Sequence, residues 1–228
     1  MKIGVFGDSY AEKGYAGELE PVIWYSLLEK EYGHTVDCFG ESGSSILFSA
    51  KSIKQCARDY DLVIWCVTVP GRFSFLQQSK DHGYHIGTSM DKCDSTDPDL
   101  IKKHKVCVDY LKYAFDWEAE ILVGESVVSY LQSQFSNIMI IPCFFPPLHH
   151  EFNLYELTQQ ETNHYFPEKT VQEVYKKYQD LRPGHITTEN QKILAKLIND
   201  NLIPGVFQTT YDNFIKPTAS FEQVFTPL

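Results

Sequence analysis

Apolar positions along the chain fall into short unbroken runs separated by stretches of helical spacing, the alternation expected of an α/β protein. The segment Leu62-Val63-Ile64-Trp65-Cys66-Val67 is apolar at every position, as a parallel strand covered on both faces requires. Lys2–Phe6 is a second such run, closed by Gly7-Asp8-Ser9. Residues 34–39 and 137–144 supply two more, the last stopped by Phe145-Pro146-Pro147. Helical spacing links Ile23, Trp24, Leu27 and Leu28 after Pro21, and a helix is expected over 46–58. Asp97 ahead of Pro98 is a plausible N-cap for a helix with Ile101, His104, Val108, Leu111 and Phe115 on one side. Another follows over 118–135, with Ile121, Leu122, Val128, Leu131 and Phe135 on one side. A helix over 171–178 precedes Asp180-Leu181-Arg182-Pro183-Gly184-His185. Thr188-Glu189-Asn190-Gln191 then matches a capping box ahead of the stripe Ile193, Leu194, Leu197, Ile198.

These elements predict one α/β domain over residues 1–202, with a mostly parallel sheet between helices. Residues 74–99 are polar and are expected to form a long loop or insertion. Residues 203–228 hold Pro204, Gly205, Pro217 and Pro227 without a clear period, and are expected to be a C-terminal extension. No internal repeat is visible.

Composition narrows the partners. Thirty acidic against twenty basic residues give a formal charge of −10, which argues against nucleic acid or an anionic membrane surface as a partner. A neutral or hydroxyl-rich small molecule fits better. Aromatic residues make up 14% of the chain, enough for a large core or for a groove that stacks on sugar rings. The six cysteines contain no C-x-x-C pair, and Cys38, Cys66 and Cys143 fall in or beside strands. Free buried thiols are therefore expected, not a disulfide framework. His82 and His85 with Asp81 and Cys93 are spaced too loosely to predict a metal site, and no cofactor is expected. No stretch has the length of a signal sequence or a membrane span, so a cytoplasmic location is expected.

The candidate chemistry lies at strand ends. In an open α/β sheet, ligands bind beyond the carboxyl ends of the strands, where Gly7-Asp8-Ser9 delivers a hydroxyl. Asp-Ser after a strand is also a common helix cap. Tyr10 and Tyr15 on the following loop are available to line a pocket. The second strand leads into Gly40-Glu41-Ser42-Gly43-Ser44-Ser45, where glycines allow backbone N–H groups to approach a bound oxygen, or merely a tight turn. The third leads into Thr68-Val69-Pro70-Gly71-Arg72, whose arginine is either a surface charge or a fork of donors aimed inward. His185 lies just ahead of a well-patterned helix, so serine and histidine form a plausible nucleophile and base. Neither G-x-S-x-G, G-x-G-x-x-G nor a Walker A sequence occurs.

The ordered set of Gly7-Asp8-Ser9 after the first strand, Gly43 in the second block and His185 before the last helix resembles the SGNH hydrolases, also called the GDSL esterase/lipase family. The resemblance implies a three-layer α/β/α, flavodoxin-like fold. It implies Ser9 as nucleophile, His185 as base, and the N–H groups of Ser9 and Gly43 as oxyanion donors, with Asp8 counted among the substrate-binding residues. Two positions depart from the family pattern. The third block lacks its usual Asn, leaving Thr68 or Arg72 to supply that donor. The acid usually three residues before the histidine is Arg182, leaving Asp180, five residues before, to orient the imidazole, or a Ser-His dyad resting on a backbone carbonyl. The implied function is a serine ester hydrolase acting through an acyl-enzyme on a small-molecule or glycan ester, with O-acyl groups of carbohydrates favoured. An O-acyltransferase using the same site and a non-catalytic binding module are the alternatives. Oligomeric state is not indicated.

Overall fold

The fold is built on Leu62–Val67, the middle strand of a five-stranded sheet and buried at all six positions. A computed structural model describes residues 1–12, 23–76, 83–86, 96–143, 152–154, 157, 186 and 188–215. In chain order these form β1 (Lys2–Phe6), α1 (Trp24–Lys30), β2 (Thr35–Cys38), α2 (Ile46–Cys56), β3 (Leu62–Val67), β4 (Phe73–Leu76), β5 (Gly83–Ile86), α3 (Pro98–Tyr113), α4 (Trp117–Gln134), β6 (Ile138–Pro142), α5 (Thr188–Asp200) and β7 (Gly205–Val206).

The large sheet runs in the order β2-β1-β3-β6-β7, with every neighbouring pair parallel. It is the doubly wound arrangement in which strand order reverses beside β1, leaving a crevice at the carboxyl ends. Side chains alternate across it. Ile3, Val5, Ile64, Cys66, Met139 and Ile141 point to one face and pack with α1 and α5. Phe6, Val63, Trp65, Val67, Ile138 and Ile140 point to the other and pack with α2 and α4. The chain is thus a three-layer α/β/α protein with a parallel sheet.

Local chemistry sets the helix starts. Ser45 Oγ accepts the Phe48 N–H at α2, Asp97 accepts the Asp99 N–H at α3, and Asp116 accepts those of Glu118 and Ala119 at α4. At α1 the N-cap is Ile23, which has no capping side chain. Gln191 of α5 takes over, its Oε1 accepting the Trp24 N–H at 3.0 Å.

Several elements differ from the sequence expectation. Gln191 serves the start of another helix, α1, a tertiary contact that a local capping pattern does not carry. Within 74–99, expected as loop, Ser74 pairs with His85 and Phe75 with Tyr84 in the antiparallel β4–β5 ribbon. Alternating aromatic and polar residues favour that pairing. The extension contributes a fifth strand, Val206 pairing with Ile140, and Phe207 and Phe214 are buried in the core beside Phe152. On α3 the buried stripe is Leu100, His104 and Cys107, shifted one position so that Ile101 is exposed; on α4 it is Gly124, Val128 and Leu131, leaving Leu122 exposed. Tyr10, expected at a pocket, is buried in the core, and Trp24 Nε1 donates to its carbonyl. Tyr15 and the helix expected over 171–178 lie outside the described residues.

Among the described residues, no helix is long and apolar enough to cross a membrane. Those residues also contain no metal-ligating cluster of three or more His, Cys, Asp or Glu. Asp81, His82 and Cys93 lie outside them.

Candidate active site

The chain leaves β1 through Gly7, whose φ is +148°. A Cβ there would stand 2.6 Å from the Cys66 carbonyl oxygen and 2.7 Å from the Cys66 Cβ. Only glycine lets the chain press this closely onto β3, and the close approach carries Asp8 beneath the rim of the sheet.

Asp8 is fully buried. Its Oδ1 accepts the Tyr10 N–H at 3.2 Å, and the Asp8 carbonyl accepts the Ala11 N–H at 2.9 Å, forming a tight turn around Ser9. Oδ2 accepts the Thr68 hydroxyl at 2.8 Å and Arg72 Nη1 at 2.7 Å. Arg72 Nη1 also donates to Thr68 Oγ1 at 2.6 Å. Both Asp8 oxygens and the Thr68 hydroxyl therefore meet partners, as burial demands. Asp8 consequently faces inward and holds the arginine, and its oxygens are not presented to the cleft. The Thr68 hydroxyl has one proton and gives it to Asp8.

The second loop is fastened to the same turn. Ser44, also fully buried, donates its hydroxyl to the Gly7 carbonyl at 3.0 Å, and the Glu41 N–H reaches that carbonyl at 3.2 Å. Gly43 between them has a φ of +76°. Glu12 and Gly40 form a parallel bridge, and Ser45 N–H donates to Ser74 Oγ at 2.8 Å, tying this loop to the start of β4. The carboxyl ends of β1, β2 and β3 are thereby stitched into one rim carrying Ser9, Gly43 and Arg72.

Beneath this rim lie two thiols, Cys66 and Cys143, both free and buried. Burial first, then the adjoining Cys66 thiol and the Asp8 carboxylate, push the Cys143 thiol well above its ordinary value of 9.0, while the Arg72 charge works in the opposite direction.

No family model and no curated protein matches the sequence. Among solved structures, the chain is similar to a G-D-S-L family protein from Desulfitobacterium hafniense DCB-2, at 13% identity over 87% of this chain and 98% of that one, with a TM-score of 0.43. It is also similar to the acetylxylan esterase Axe2 from Geobacillus stearothermophilus, at 14% identity over 98% of this chain and 78% of that one, with a TM-score of 0.36. These likenesses are distant and assign no activity to this chain.

Of the residues singled out from the sequence, Ser9, Asp8, Gly43, Thr68 and Arg72 occupy this one rim. Asp180 and His185 lie outside the described residues. Ile186, which follows His185, is buried in the core layer that also contains Tyr10, Cys66 and Cys143. Sequence reasoning put Ser44 in the second loop and expected Cys143 as a free buried thiol, which it is, but not the group that either one meets. A serine in a run of small residues and a cysteine at a strand end carry no signal of which partner they meet. It also missed that Asp8 and Arg72 form a pair, because 64 residues separate them.

Proposed function

We propose that the protein is a serine ester hydrolase in which Ser9 attacks an acyl carbonyl and His185 takes the Ser9 proton. In this reading the Ser9 Oγ–carbon bond forms as the carbonyl π electrons move to oxygen. The resulting oxyanion is met by the N–H groups of Ser9 and Gly43 and by the Arg72 guanidinium. His185 then returns its proton to the departing alcohol, leaving an acyl-Ser9 ester. Water, giving a proton to His185, repeats the sequence and frees the acid, and Asp180 orients the imidazole.

The observation that carries this reading is the fixing of Arg72 by buried Asp8 and Thr68 beside the Ser9 turn. Of the two residues available to replace an Asn donor, Thr68 has already committed its proton to Asp8. Arg72 keeps part of its side chain exposed, at 18%, and a guanidinium held in place needs no reorganisation when charge develops. A formal charge of −10 favours a neutral, hydroxyl-rich alcohol moiety, such as a glycan, over an anionic polymer.

A fluorophosphonate probe tests the reading. Labelling should map to the Ser9 peptide and disappear in Ser9→Ala and His185→Ala. A label on another residue, or unchanged ester hydrolysis by Ser9→Ala, overturns it.

A further inference from the structure

A recess opens beside this rim, between the first turn of α2, the loop after β3 and the middle of α4. Its walls are Ile46 and Leu47, Val69 and Pro70, and Val123 and Val127. Gly124, buried on α4, adds no side chain to it. Ser45 and Arg72 also border it, and Glu120 lines its α4 side. The recess therefore meets the site at two residues tied to its donors. Ser45 follows Gly43 by two positions, and Arg72 is bonded to Asp8, the neighbour of Ser9.

That placement has a stereochemical consequence. When a carbonyl oxygen is held by Arg72, one of the two groups on the same carbonyl carbon, the acyl chain or the alcohol, lies toward the recess that Arg72 borders. Its walls are aliphatic, so they suit alkyl groups. Glu120, whose Oε1 accepts the Tyr110 hydroxyl at 2.8 Å, adds a carboxylate that opposes a second anionic group on the chain.

We propose that this recess is the acyl-group subsite and that it takes a short, uncharged, saturated acyl chain, an assignment that rests on the hydrolase reading for its catalytic meaning. Size sets the limit. The free space is about 40 Å³, small enough that it suits an acyl chain of about two to four carbons and not a long one. Octanoyl would project into solvent past Leu47 and Val123, both half exposed at 53% and 49%.

The test combines turnover with binding. Wild type should hydrolyse p-nitrophenyl acetate and butyrate with kcat/KM at least about tenfold above octanoate, and Val123→Trp, at a half-exposed site that tolerates a larger side chain, should reduce butyrate relative to acetate by about tenfold. An unchanged chain-length profile in Val123→Trp overturns the subsite. Titration of butyrate into the Ser9→Ala protein, followed by amide NMR, should shift resonances of residues 69–72 and 123–127, and Val123→Trp in that background should abolish the shifts. Absence of these shifts, or shifts confined elsewhere, overturns the subsite whatever the ester assay shows. No Ser9-dependent turnover with butyrate shifts at the recess defeats the hydrolase reading and leaves the binding site standing.

Discussion

Arg72 Nη1 lies 2.7 Å from Asp8 Oδ2, with the aspartate side chain wholly buried and the arginine 18% exposed. Removing one partner of such a pair leaves a buried charge without compensation, at a cost of about 3–5 kcal/mol. Arg72→Met is therefore expected to lower stability by about 3 kcal/mol, read from the urea midpoint. The double variant Asp8→Asn/Arg72→Met should lose less than the sum of the single changes, because no unpaired charge remains. Additive losses would show that the two side chains are not coupled.

The same arginine separates stability from turnover. Arg72→Lys keeps a cation but not a fork able to hold Asp8 and Thr68 while meeting a third oxygen. We expect kcat for ester hydrolysis to fall by about 10²-fold with a small change in KM. A KM effect alone would make Arg72 a binding residue only.

Gln191 Oε1 receives the N–H that opens α1, across 167 residues. Gln191→Leu should cost about 1–3 kcal/mol by leaving that buried donor unmet, and Gln191→Glu, which retains the acceptor, should cost less. Chemical denaturation of the two variants distinguishes a hydrogen bond from simple packing, which would rank them the other way.

Cys143 and Tyr60 make stability fall in alkali. Burial and the Cys66 thiol raise Cys143, while burial and the hydrogen bond to Asp37 raise Tyr60. The folded protein thus keeps protons that the unfolded chain releases, and unfolding becomes easier as pH climbs past the ordinary thiol value of 9.0. Below that value the contribution of Cys143 is fully present. The urea midpoint should hold steady between about pH 7 and 8 and decline above about pH 9, with a shallower decline in Cys143→Ala. Iodoacetamide should modify Cys143 only after unfolding.

Gly71 takes φ +76°, and a Cβ there would fall 2.6 Å from the Phe115 ring. Gly71→Ala should therefore lose about 1–2 kcal/mol from backbone strain alone. Because Arg72 is next in the chain, it should also lower turnover. A variant with native stability and turnover would mean that the loop does not depend on the left-handed backbone at Gly71.

How far the molecule was legible from its sequence depended on the distance over which a residue acts. Leu62–Val67 was legible to the residue, since burial on both faces leaves no polar position. Gly7-Asp8-Ser9 announced a turn at a strand end, yet nothing local showed that Asp8 would turn inward to a residue 64 positions away. The pattern at Thr188 to Gln191 suggested a cap, but which helix it serves depends on the approach of α1. Gly205–Val206 is too short to show a period, and only its neighbour β6 makes it a strand.

The two faces of the sheet close at different moments of synthesis. α2 and α4 cover one side with residues that emerge before or just ahead of β6. The other side needs α5, whose Leu194, Ala195 and Ile198 are fully buried against it. On the ribosome, the layer holding Ile64, Met139 and Ile141 has α1 from the outset but stays incompletely covered until residues 188–200 emerge. Nascent chains halted before residue 188 should consequently be clients of chaperones and prone to clump, whereas those released after residue 215 should not.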